Sequence, residues 1–110
     1  RMVEVYDSLA RDGAPVDAIA IDPRLGSGDA FLFRVADDDA HPRIEAGDLL
    51  LLDPAVEPRG GDTVVLTHEG RAVVRTWHRQ GGRIRLVAMR PDLPPIRLDA
   101  EAFDGLVVLL

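Results

Sequence analysis

The chain has 110 residues, 46% of them hydrophobic and 29% charged, with a formal net charge of −6. That is one domain's length, and the composition can bury a core. Cysteine, lysine and asparagine are all absent, which excludes disulfides, thiolate metal sites, cysteine nucleophiles, Schiff-base chemistry, a lysine general base and N-glycosylation.

Ten glycines and eight prolines cut the chain into short runs, and helical periodicity is scarce. Residues 3–6 and 18–21 are brief strand candidates. Residues 30–36, Ala-Phe-Leu-Phe-Arg-Val-Ala, are aromatic and branched and predict a strand. Residues 41–46 predict the single helical turn, with Pro42 acceptable in its first positions. Residues 49–53 form a continuous apolar run stopped by Asp53-Pro54, as a buried strand would be. Residues 63–68 and 71–78 flank Glu69-Gly70 and predict a tight hairpin. In residues 83–89, Ile84, Leu86 and Ala88 share one face while Arg83 and Arg85 point the other way. Residues 96–98 and 106–110 complete the set. Short strands at close spacing predict one compact, all-β, small barrel-like domain.

The segment 33–53 carries Val35, Pro42, Ile44 and Gly47-Asp48 followed by an apolar strand. In this order they resemble the catalytic segment of the LexA, UmuD and phage-repressor self-cleaving family, which has a Ser-Lys peptidase dyad. Gly61-Asp62-Thr63, the 71–77 strand, the stretch from Ile84 to Pro95-Ile96 and the 103–110 tail continue the likeness over about 80 residues. The resemblance implies a β-clip type fold in residues 30–110. Residues 1–29 correspond to the cleavage-loop region. It also implies a homodimer, a transcription regulator of the SOS-response kind, and DNA contact through a separate N-terminal domain. The alternative within the same fold is a stand-alone UmuD-like module with a protein partner.

The departures from the family pattern bear on activity. The nucleophilic serine falls on Asp39 and the general-base lysine on Arg75, while the methionine after the serine falls on Ala40. Guanidinium stays protonated and cannot serve as the base, so no peptidase activity is expected. Asp39 and Arg75 are instead expected to form a carboxylate–guanidinium pair, with two solvated surface charges as the alternative reading. The degenerate cleavage bond falls on Asp12-Gly13.

Other candidates are weighed on their own residues. Asp37, Asp39 and His41 alternate onto one side of an extended segment and are the only metal-ligand candidates; a polar loop capping the turn explains them as well. No cofactor is expected. His68 and His78 end the predicted hairpin strands and read as surface histidines. Trp77 marks either a partner surface or the core. Arg79, Arg83, Arg85 and Arg90 form a basic patch that would touch phosphate or simply face solvent. The terminal residues Leu106, Val107, Val108, Leu109 and Leu110 read as an unguarded edge strand and a homodimer interface, with a strand buried on both faces within the monomer as the alternative. The acidic balance argues against unaided DNA binding. No apolar run reaches the roughly 18 residues of a membrane helix, and no secretory signal opens the chain, so a cytoplasmic location without membrane contact is expected. Arg1 in place of a starting methionine reads as a fragment or a tag remnant.

Overall fold

The computed structural model describes every residue except Asp39, His41 and Leu110. Nine strands are present among the described residues: β1 (Met2–Tyr6), β2 (Asp17–Ala20), β3 (Phe31–Arg34), β4 (Leu49–Asp53), β5 (Thr63–His68), β6 (Arg71–Gln80), β7 (Arg83–Val87), β8 (Ile96–Asp99) and β9 (Gly105–Val108). They form one sheet in the order β2-β1-β3-β4-β9-β5-β6-β7-β8. β1 and β3 run parallel, and the other neighbours are antiparallel. The all-β expectation holds. The sheet does not close into a barrel, because β2 and β8 end the order with one neighbour each.

The middle strands are apolar on both faces because both faces are buried. Phe31, Phe33, Leu50, Leu52, Val65 and Val74 build one cluster on one face. Leu32 and Leu51 turn the other way and pack with Val3 and Val5. Val64, Leu66, Val73, Trp77, Leu86 and Ile96 form a third cluster towards the β8 end. Alternation therefore fades in β4 and β5 and returns in β7, where Ile84 and Leu86 are buried while Arg83 and Arg85 are exposed.

The hairpin between β5 and β6 turns at Glu69 and Gly70, both at positive φ, the conformation of a two-residue turn matched to strand twist. Two expectations shift. A 3-10 turn at Ala100–Ala102 is the helical element among the described residues, and His41 of the expected turn at 41–46 lies outside them. In the latter region the Arg43 and Ile44 N–H groups both donate to the Ala40 carbonyl, at 3.2 Å each. Gly47, at φ +93°, sits in the following turn, where Asp48 N–H donates to Glu45 O at 3.0 Å, just before β4.

β9 is also not an edge. It lies between β4 and β5, with Leu52↔Val108 on one side and Val65↔Leu106 on the other. Its two apolar faces are those of a central strand. The edge-strand reading of the C-terminal run is corrected accordingly.

Candidate functional site

The loop after β3 is closed at its neck by two backbone hydrogen bonds. Val35 N–H donates to Asp48 O at 2.9 Å, and Gly47 N–H donates to Val35 O at 2.8 Å. Inside the neck, carboxylates take up backbone donors that the irregular chain leaves open. Asp38 Oδ1 accepts from Ala46 N–H, and Asp48 Oδ2 accepts from Glu45 N–H, each at 2.9 Å. Asp37 Oδ2 accepts from Arg71 Nη2 on β6 at 3.0 Å. The loop is thus tied both to itself and to the strand opposite.

Beside it lies a cleft of about 200 Å³, with Phe33, Val35, Ala36, Ala40 and Val74 among its walls and Asp37 and Arg71 on its lining. Ala40 is buried in the same cluster as Phe33 and Val74. The segment after β1 runs over this region. Leu9 packs on the cluster, Asp7 reaches Arg34 at 3.5 Å, and the Arg11 guanidinium lies 4.2 Å from the centre of the Phe31 ring, a cation–π contact.

A second polar centre sits at the end of β4. Asp53 is only 1% exposed. It accepts from Ser27 N–H at 2.7 Å, Ser27 Oγ at 2.7 Å and Ala55 N–H at 3.0 Å. Burial opposes its ionisation. The Ser27 and Ala55 donors, together with the charge of Arg1, outweigh that and hold its carboxyl below the ordinary value. Gly26 makes room for the arrangement: a Cβ there would stand 2.9 Å from Ala30 Cβ and 3.4 Å from Asp53 Oδ2, at φ +71°. This staple joins segment 26–30 to the core. The sequence carried one signal for it, an aspartate ending an otherwise wholly apolar run.

The Peptidase S24-like family pattern matches residues 6–108. The chain belongs to that family. Among curated proteins, it is 40% identical over 74 residues to a LexA repressor of Geobacter sp. (strain M21), covering 66% of this chain and 37% of that protein. It is 38% identical over 77 residues to a LexA repressor of Citrifermentans bemidjiense, covering 69% and 38%. It is 33% identical over 108 residues to a LexA repressor of Desulfatibacillum aliphaticivorans, covering 88% and 52%. The chain therefore spans about two fifths to one half of the length of these relatives.

Arg75, the residue expected at the family's lysine position, is 5% exposed. It faces Val64 across β5–β6, and its Nη1 donates to Val74 O at 2.9 Å. Arg75 is thus not a solvated surface charge. Asp39, its expected partner, lies outside the described residues, as does His41 of the proposed metal trio. The third member, Asp37, is engaged with Arg71. Asp12 and Gly13 are exposed in the connection between β1 and β2. His68 is part-exposed at the end of β5, 4.0 Å from Glu69. Trp77 is a core residue, 8% exposed, and its indole N–H has no hydrogen-bond partner among the described residues.

The basic patch is real but differently composed. Arg90 leaves it, held by Asp92 through Nε at 3.1 Å and Nη2 at 2.8 Å. His78 and Arg97 join Arg79, Arg83 and Arg85 around an open cleft of about 420 Å³. The strand register makes this grouping, and register was not available from the sequence.

Proposed function

We propose that the chain is the regulatory and dimerisation half of a repressor-type transcription regulator, in which Asp39 and Arg75 replace the Ser-Lys dyad and self-cleavage is lost. The family match over nearly the whole chain carries this reading. The relatives are named repressors, which favours it over a stand-alone interaction module.

Loss of peptidase activity follows from chemistry at the matched positions. A serine hydroxyl needs a neutral amine to lose its proton. The chain has no lysine and no serine outside positions 8 and 27, and guanidinium does not deprotonate. The burial of Arg75 favours a structural role, since a buried guanidinium is costly unless carboxylates or carbonyls surround it. Asp12-Gly13 is then a vestigial cleavage bond, residues 1–29 the fixed counterpart of the cleavage-loop region and residues 30–110 the body of the domain.

Dimerisation would bring two DNA-binding heads to two half-sites. β9 is interior, so the C-terminal residues would enter the interface through a face of the sheet. Val108 and Leu109 remain half-buried and line an open cleft of about 450 Å³ with Ile44, Leu49 and Met89. A second copy covering this apolar wall would remove it from water.

One experiment addresses both parts. The purified chain is held at mildly alkaline pH, then examined for fragments and weighed by light scattering. No discrete fragment and a mass of twice 12.0 kDa are expected. A fragment that Asp39→Ala abolishes would overturn the inactivity. A monomer mass at all concentrations would overturn the dimer.

A further inference from the structure

The charge of this molecule is unevenly distributed. Residues 1–62 hold six arginines against fourteen carboxylates, and residues 63–110 hold seven against five. The sheet order sets β1–β4 towards one end and β6–β8 at the other, and most carboxylates of residues 1–62 lie in the loops between strands.

On the outer face of β6–β8 the register places His78 beside Arg85 and Arg85 beside Arg97. Neighbouring strands lie about 4.8 Å apart, so these three cationic or basic side chains form a row across about 10 Å of sheet. The next row is Gln80, Arg83 and Asp99. Asp99 is the only carboxylate in the two rows, and it is taken by Arg83 at 3.1 Å. Arg79 Nε donates to Gly81 O at 2.8 Å. Among the described residues no hydrogen bond or ion pair holds the side chain of Arg85 or Arg97, and both residues are exposed.

Like charges directly opposite on a sheet are destabilising. Arg85 facing Arg97 therefore costs the fold something that nothing internal offsets. The cost is recovered when an anion lies across the row. Guanidinium forks match phosphate oxygens in geometry as well as charge. Apart from the single His78 imidazole, the two rows carry no aromatic or aliphatic side chain. The face thus offers neither the stacking platform that single strands require nor the buried anchor typical of a protein partner. Backbone contacts to a duplex require neither.

We propose that the outer face of β6–β8 is a phosphate-binding surface whose occupant is the backbone of duplex nucleic acid. The domain would then contribute its own sequence-independent contacts. The choice of a duplex rests on the repressor reading above; the anion chemistry does not.

The test uses this chain alone and a labelled duplex of arbitrary sequence, followed by fluorescence anisotropy. Binding is expected at low salt, weakening at least tenfold as salt rises about tenfold. The Arg85→Gln/Arg97→Gln double variant should bind at least tenfold more weakly, with a salt slope flatter by about two and an unchanged or higher Tm. Absence of binding by the parent chain at low salt would overturn the proposal, as would a double variant that binds as well as the parent. A poly-glutamate peptide that displaces the duplex at equal charge would make the surface an acidic-protein site. Pyrophosphate binding as tightly as the duplex would make it a free-anion site. Either result overturns the duplex assignment while leaving the mass and cleavage tests of the repressor reading intact.

Discussion

The loop 36–48 and the outer face of β6–β8 both concentrate charge, and they handle it in opposite ways. In the loop, Asp37, Asp38 and Asp48 each accept a hydrogen bond from this chain, two of them from backbone N–H groups of the same loop. Those charges hold irregular backbone in place. On β6–β8, Arg85 and Arg97 stand in register with no carboxylate between them. A side chain's partners, more than its residue type, separate structural charge from charge directed at a ligand. By that criterion Asp37, Asp38 and Asp48 serve the fold, and Arg85 and Arg97 are the charges left for the proposed phosphate contact.

The largest effect expected from breaking this distinction is at Asp53, the extreme of the internally satisfied kind. Asp53→Ala strands Ser27 N–H, Ser27 Oγ and Ala55 N–H in a buried setting and should cost about 3 kcal/mol by urea unfolding. A loss below about 0.5 kcal/mol would show that water replaces the carboxylate freely. The pH dependence has a defined sign. The folded carboxyl is lowered below its unfolded value of about 3.9. Its contribution is fully present above that value and is lost as pH falls through the folded one. Asp53→Asn should therefore flatten the acid limb of the stability curve relative to the parent.

A smaller effect sharpens the comparison at the loop. The Asp37–Arg71 pair is 3.0 Å long, but its side chains are 44% and 61% exposed. A double-mutant cycle with Asp37→Ala and Arg71→Ala should give a coupling of about 0–1 kcal/mol. Coupling above about 2 kcal/mol would mean that the loop is organised around this pair and not around its backbone hydrogen bonds.

The sequence revealed strands more readily than their order. β4 and β5 were legible because burial on both faces leaves unbroken apolar runs. β7 was legible because burial on one face leaves alternation. β2 has only Ile19 partly buried, so little in its composition marks it. The placement of β9 was misjudged because an apolar strand at the chain's end looks the same whether it joins an edge or fills the centre. Only its pairing with β4 and β5 distinguishes the two, and both partners lie about 40 or more residues away in sequence. The site followed the same pattern. Family spacing pointed to the loop and to Arg75 as an expectation, while alternation placed Arg83 and Arg85 outward, as the structure has them. His78 and Arg97 were missed as members of that face because cross-strand neighbours depend on register. Arg90 was wrongly included because proximity in sequence is not proximity across a sheet.

The smallest expected effect is the most telling for the arginine face. Arg97→Gln removes one of two like charges directly opposite each other on β7–β8. It should leave stability unchanged or raise it by about 0.2–1 kcal/mol, measured as a shift in the denaturant midpoint with no change in slope. The Arg85→Gln variant should behave likewise, since Arg85 also lies beside His78. The sign matters more than the size. A gain means that the fold retains a repulsion it does not need for itself, as a surface kept for a polyanion would. A loss means that the guanidinium stems pack along the neighbouring strands and stabilise the sheet through their apolar atoms. The row would then belong with the loop carboxylates, as charge held for structure, and the distinction between the two regions would collapse.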